Sequence, residues 1–211
     1  MGDSVVLDVR ELTISFRTDG KEVPAVEKVD FQLKKGEILG IVGESGSGKS
    51  LTSLSIMGLL PKPPAIVDSA SSVIFNGEDL LKLPETKMRK IRGNQISMIF
   101  QEPMTSLNPL FTVGQQMTEA YRLHHDTNKK KAFAECVAML KQVGLPRAES
   151  MMKNYPHELS GGMRQRVMIA MSMVCRPKIL IADEPTTALD VTIQAQILKL
   201  MKDLNEKTDT S

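Results

Sequence analysis

Between residues 5 and 33, Val5, Leu7 and Val9, then Leu12, Ile14 and Phe16, then Val29, Phe31 and Leu33 alternate with largely polar neighbours. A period of two predicts half-buried strands of a small antiparallel sheet. Asp19-Gly20 supplies the turn ahead of the apolar stretch 23–26. The pattern then changes. Residues 38–42 form a near-continuous apolar run, as expected for a parallel strand covered on both faces, and beyond it Leu51, Leu54 and Met57 recur at helical spacing. Prolines at 61, 63 and 64 break the pattern and predict an exposed loop. A strand over 72–75, an Asn76-Gly77 turn and a short helix over about 84–92 lead to an apolar strand at 96–100. Residues 102–159 depart from this rhythm: 113–123 and 132–143 have helical spacing, and Met151-Met152 belong to a third short helix. A helix from Ser160 to about Cys175, a strand over 179–182 and a helix over 193–204 complete the pattern.

Composition narrows the function classes. The 211 residues carry Lys+Arg 27 against Asp+Glu 25, interspersed apart from the run Lys129-Lys130-Lys131, so no nucleic-acid-binding surface is expected. The longest apolar stretches, such as 167–174, fall short of the ~20 residues that cross a bilayer. Residues 1–20 are charged throughout without a signal-peptide core. The expected compartment is the cytosol. Cys136 and Cys175 lack paired-thiol or metal spacing and read as buried reduced thiols.

The chemistry concentrates in three places. Gly43, Glu44, Ser45, Gly46, Ser47, Gly48, Lys49 and Ser50 satisfy G-x-x-x-x-G-K-[ST] between the predicted strand and helix. The glycines let backbone N–H groups turn onto phosphate oxygens, Lys49 reaches the β- and γ-phosphates, and the Ser50 hydroxyl ligates Mg²⁺. Second, the strand 179–182 ends in Asp183-Glu184-Pro185; Asp183 suits the Mg²⁺ hydration shell, and Glu184 the polarisation of a water attacking the γ-phosphate. Third, Ser160 caps a helix whose entry, Gly161-Gly162, leaves its first N–H groups open as a second anion site. Gln101, at the end of the strand 96–100, is placed to reach Mg²⁺ and a water, although a lone glutamine is ordinarily a solvated loop residue. Phe16 serves either as core or as a face for an adenine ring, and alternation alone favours core. Met104, Leu107, Leu110 and Phe111, in a proline-bounded loop, either meet a partner or pack inward. His124, His125 and His157 lack carboxylate or thiol partners at ligand spacing and read as surface or structural residues.

In this order GESGSGKS, Gln101, LSGGMRQR, ILIADEP and TALD resemble the nucleotide-binding subunit of ATP-binding cassette (ABC) transporters, over residues 5–211. LSGG is that family's own signature. The stretches QEPMTSLNPLFTVGQQ (101–116) and PHELSGGMRQRVMIAM are similar to the subgroup that imports oligopeptides, dipeptides or nickel. The resemblance implies one α/β domain of the ABC ATPase fold. Its P-loop NTPase core, with a mostly parallel sheet, comprises 36–101 and 160–211, beside an N-terminal antiparallel β subdomain (1–35) and a helical subdomain (102–159). It implies ATP and Mg²⁺, with Phe16 stacked on adenine, residues 43–50 around the phosphates, and Ser50, Gln101 and Asp183 at the metal. Catalysis falls to Glu184, Gln101 and Lys49. Ser160, Gly161 and Gly162 would bind the γ-phosphate held by a facing cassette, and Asp190 would cross the same interface.

The implied partners are a second cassette, usually forming a heterodimer, and two membrane permeases at the cytoplasmic face, fed by an extracellular binding protein; the loop 102–113 would face a permease. The family pattern continues into a further strand ending in a histidine that contacts the γ-phosphate. This chain ends before it, none of its three histidines lies downstream of Asp183, and the chain reads as a fragment or a truncated product. As given, it is expected to bind ATP, to hydrolyse it poorly, and to leave apolar surface uncovered. The competing readings are a soluble ABC ATPase acting on ribosomes or DNA, against which the near-neutral charge and single cassette speak, and a nucleotide-binding partner with weak hydrolysis.

Overall fold

The computed structural model describes residues 4–101, 107–185 and 191–211. The chain divides into two compact units, residues 1–92 with 211, and residues 93–210. That division falls inside the core segment expected over 36–101.

The first unit is built on one long hairpin. Strands β1 (Val5–Thr18) and β2 (Lys21–Lys34) pair antiparallel around Asp19 and Gly20, both at positive φ, as a two-residue hairpin turn requires. The several short strands expected here are segments of these two, separated by bulges. Register shifts lie between Val9 and Leu12 and again between Leu12 and Ile14. Glu11 and Lys28, both at φ 45°, sit at these shifts, where side chains take over ladder bonds: Asp30 accepts from the Glu11 N–H and Thr13 from the Lys28 N–H. The extra residue keeps Leu7, Val9, Leu12 and Ile14 all buried although the apolar phase changes from odd to even. β1 also pairs with β3 (Ala65–Val67), which the sequence pattern did not announce, and with β4 (Ser72–Phe75). Asn76 and Gly77, again at positive φ, join β4 to β5 (Glu78–Asp79). Helices α1 (Lys49–Ile56) and α2 (Glu85–Ile91) complete the unit. Arg92, paired with Glu85, donates to the carbonyls of Met57 and Gly58 and so ties the two helices' C-terminal ends together.

The second unit places β6 (Ile96–Ile99) parallel to β7 (Ile179–Ala182), with Ile96 opposite Ile179 and Ile99 opposite Ala182. The helices α3 (Val113–His124), α4 (Lys129–Gln142), α5 (Ala148–Met151), α6 (Gly161–Met173) and α7 (Val191–Thr208) surround a core of Val113, Met117, Cys136, Leu140, Ile169, Met173 and Ile197. Thr112 opens α3 with a capping box to Gln115, and Asn128 caps α4.

One expectation is corrected. Residues 37–44 carry no strand, and Ile38, Leu39, Ile41 and Val42 are exposed, Val42 at 92%. An apolar run becomes a buried parallel strand only with hydrogen-bonding neighbours on its edges. Among the described residues β6 and β7 alone pair in parallel.

Candidate nucleotide site

In the first unit, the loop 43–50 enters α1 through Gly48, the helix N-cap, at φ 89°. Only glycine fits there: a Cβ would stand 2.6 Å from Val26 Cγ2 and 2.9 Å from the Ala25 carbonyl oxygen. A Cβ at Gly43 would meet Ser47 Oγ at 2.6 Å. Gly46 is at φ 82°, and Ser47 N–H closes a turn onto the Glu44 carbonyl. Lys49 folds back over the loop and donates from Nζ to the carbonyls of Gly43 (2.9 Å) and Glu44 (2.8 Å). The result is a tight, side-chain-poor loop at a helix N-terminus with an ammonium drawn across it, a donor set that suits phosphate oxygens. Ser50 lies in the first turn of α1. Phe16, on β1 opposite Val23 and Ala65, is half-buried.

In the second unit, Asp183 and Glu184 follow the last residue of β7, and Gln101 lies just beyond β6, so all three stand at the carboxyl end of the parallel pair. Gln101 Nε2 donates to Glu184 Oε2 at 3.0 Å. The Asp183 N–H continues the ladder onto the Ile99 carbonyl at 3.0 Å. Glu184 has φ 46°, a left-handed conformation that costs a non-glycine residue about 1–2 kcal/mol and therefore needs support from its neighbours. Part of that support comes from a residue that the motif reading passed over. Gln165 on α6 is fully buried, at 0% exposure, and donates from Nε2 to the Pro185 carbonyl. Standing between Arg164 and Arg166, it carried no sign of burial in the sequence, and its partner lies twenty positions away.

Ser160 caps α6 by accepting from the Met163 N–H. Ser160 and Gly161 are exposed, and a Cβ on Gly161 would meet nothing within 4 Å. The helix tip is open to an incoming anion. Asp190, expected near an interface, lies outside the described residues, as does Met104.

The other apolar loop residues divide. Leu110 and Phe111 are exposed, whereas Leu107 packs inward, because it joins the helical core with Val113 and Met117. His125 stacks on Tyr121 with centroids 4.2 Å apart, and His157 stacks on Tyr155 at 5.6 Å. Burial, with His125 adding to it, lowers the pKa of His124. Cys136 is buried and Cys175 only half-buried. Burial pushes the two thiols up to about 12 and about 11, so both are protonated at neutral pH.

Residues 26–187 match the model of the ABC transporter family. The chain belongs to that family. It is 56% identical over 98% of its length to the oligopeptide transport ATP-binding protein OppD of Bacillus subtilis, spanning 57% of that protein. It is 55% identical over 98% to OppD of Escherichia coli, spanning 60%, and 56% identical over 98% to the dipeptide transport ATP-binding protein DppD of Bacillus subtilis, spanning 61%. The chain therefore spans about three-fifths of the length of these relatives. Among solved structures, the dimeric ATP-binding cassette MJ0796 in a post-hydrolysis state bound to ADP and Pi superposes with a TM-score of 0.81 at 30% identity, covering 97% of this chain and 84% of that one. A second dimeric structure of MJ0796, described as a bacterial ABC transporter cassette, gives 0.81 at 30% identity with coverages of 97% and 85%. The fold is that of an ABC ATPase cassette.

Proposed function

We propose that this cassette binds Mg²⁺-ATP and hydrolyses it to power a membrane importer of oligopeptides or dipeptides, or of nickel. The loop 43–50 and Lys49 hold the phosphates, and Phe16 stacks on the adenine. Ser50, Asp183 and Gln101 would hold Mg²⁺, directly or through its waters, and the ion would supply positive charge that offsets the charge of the phosphates. Glu184 accepts a hydrogen bond from the attacking water and draws its proton as the water oxygen bonds to the γ-phosphorus. The bond from that phosphorus to the β–γ bridging oxygen breaks, leaving ADP and phosphate. Ser160, Gly161 and Gly162 meet the γ-phosphate held by a second, homologous cassette in a head-to-tail pair, usually a heterodimer, with Asp190 at the same interface.

The pair sits peripherally on the cytoplasmic face beneath two membrane permeases, supplied indirectly by an extracellular solute-binding protein, and nucleic acid plays no part. The observation that carries the hydrolytic reading is the 3.0 Å bond from Gln101 to Glu184 at the carboxyl end of the parallel strands, which joins two of the candidate residues. Relatives at 55–56% identity that are oligopeptide or dipeptide transport ATP-binding proteins support the peptide substrate.

The test is isolation from membranes together with uptake. The wild-type protein should co-purify with two polytopic membrane proteins, and cells carrying Glu184→Gln should lose uptake of defined peptides while keeping the complex. Co-purification with ribosomes or DNA, or peptide uptake untouched by Glu184→Gln, would contradict the proposal.

A further inference from the structure

We infer that Gln165 is a positioning residue for Glu184, tying the Ser160 helix to the acidic turn of the same chain. The inference rests on the function proposed above. Gln165 occupies the second turn of α6, five residues from the Ser160 cap, and is fully enclosed. Its Nε2 lies 2.5 Å from the Pro185 carbonyl oxygen, and its Oε1 is buried without a hydrogen-bond partner among the described residues. A carboxamide enclosed with only one of its two polar atoms bonded is costly to keep for packing alone. What it does achieve is to fix the carbonyl of Pro185, the residue immediately after Glu184. Glu184 is thereby held from three sides: the Asp183 N–H is bonded to Ile99 before it, the Pro185 carbonyl to Gln165 after it, and its own carboxylate to Gln101.

With its backbone at φ 46°, Glu184 depends on such bonds to keep its carboxylate in one place. α6 itself is anchored, because Ser172 on its last turn donates to the Met98 carbonyl of β6. The helix that begins at the exposed tip of Ser160 and Gly161 thus reaches the acidic turn through the Gln165 side chain. Movement of that tip as it meets a nucleotide in the partner cassette would be felt at Glu184 of its own chain. The tether gives the two half-sites of a pair a route for acting in step.

Two substitutions test this in the protein within its native assembly. Gln165→Met keeps length and bulk but removes the donor, and should lower kcat about tenfold or more by loosening the carboxylate. The KM for ATP should stay within about twofold, because the phosphate loop is untouched, and the melting temperature should hold. Gln165→Glu cannot donate when ionised, but burial raises its pKa, and the protonated acid regains an O–H donor. Its kcat relative to wild type should therefore recover as the pH falls from about 8 to about 6, a recovery that lost packing would not show.

Wild-type kcat in Gln165→Met would overturn the inference. So would a joint collapse of kcat, KM and melting temperature, or a Gln165→Glu ratio that is flat with pH. Assemblies in which wild type and Glu184→Gln hydrolyse ATP equally would overturn the proposed function and this inference with it. Active wild type, dead Glu184→Gln and unaffected Gln165 variants would overturn the inference alone.

Discussion

At the scale of single residues, glycines with the same apparent role in the sequence separate cleanly in the structure. Gly48 combines φ 89° with a Cβ position 2.6 Å from Val26 Cγ2. Gly48→Ala should therefore cost about 1–3 kcal/mol in denaturant unfolding and abolish ATP binding in a nucleotide titration. Gly161 sits in a right-handed helical turn with open space around it. Gly161→Ala should leave the fold as stable or raise it by less than about 1 kcal/mol. Equal costs at the two positions would contradict the geometry. The phosphate loop, the acidic pair and the helix cap were legible because each motif is a local arrangement of residue types with a fixed bonding task. Gln165 was not legible, because its task is a bond across twenty positions to a carbonyl, which no spacing announces. The place of Leu107 stayed open in the sequence for a related reason: its burial is set by the helical core that it joins, not by the prolines and residues beside it.

Among the elements, apart from β3 and the run 38–42, strands and helices fell close to the boundaries that periodicity suggested, and what else was missed concerned how they join. Leu7 and Val9 against Leu12 and Ile14 look like two strands, yet a bulge at Glu11 makes them one. The short β4–β5 connection depends on Asp79, whose carboxylate accepts from the N–H groups of Val73 and Leu81 and pairs with Lys82 at 2.9 Å. Burial works to raise its pKa, but the Lys82 ammonium and these two N–H groups together hold it below the usual carboxylate value. A depressed folded-state pKa means that the ionised group contributes stability above its unfolded pKa and loses it as the pH falls through the folded value. Asp79→Ala should thus destabilise the chain by about 1–2 kcal/mol at neutral pH, and the deficit should narrow below about pH 4. Chemical unfolding of both proteins across that range checks the sign; a deficit that widens in acid would contradict it.

For the whole molecule, family and fold were readable from motif order, whereas the state of residues 38–42 was not. Alternation and apolar runs report what a strand buries, but not whether its hydrogen-bonding neighbours are at hand. In the 211-residue chain the amides of Ile38, Ile41 and Val42, exposed and outside any strand, should exchange with solvent deuterium quickly, while those of β1 stay protected. Slow exchange there would mean that the run is paired after all. The central claim concerns two copies of the cassette architecture, each offering its open Ser160–Gly161 tip to the other's nucleotide. It is tested most directly by the mass in solution of Glu184→Gln protein mixed with its partner cassette and Mg²⁺-ATP, without and with Gly161→Asp. The added carboxylate fits the space at Gly161 and suits the helix N-terminus, so the fold should survive, but it should repel the partner's γ-phosphate. Glu184→Gln should give an ATP-dependent pair and the double variant single, ATP-binding molecules; no ATP-dependent pairing in the first, or unchanged pairing in the second, would contradict the shared site.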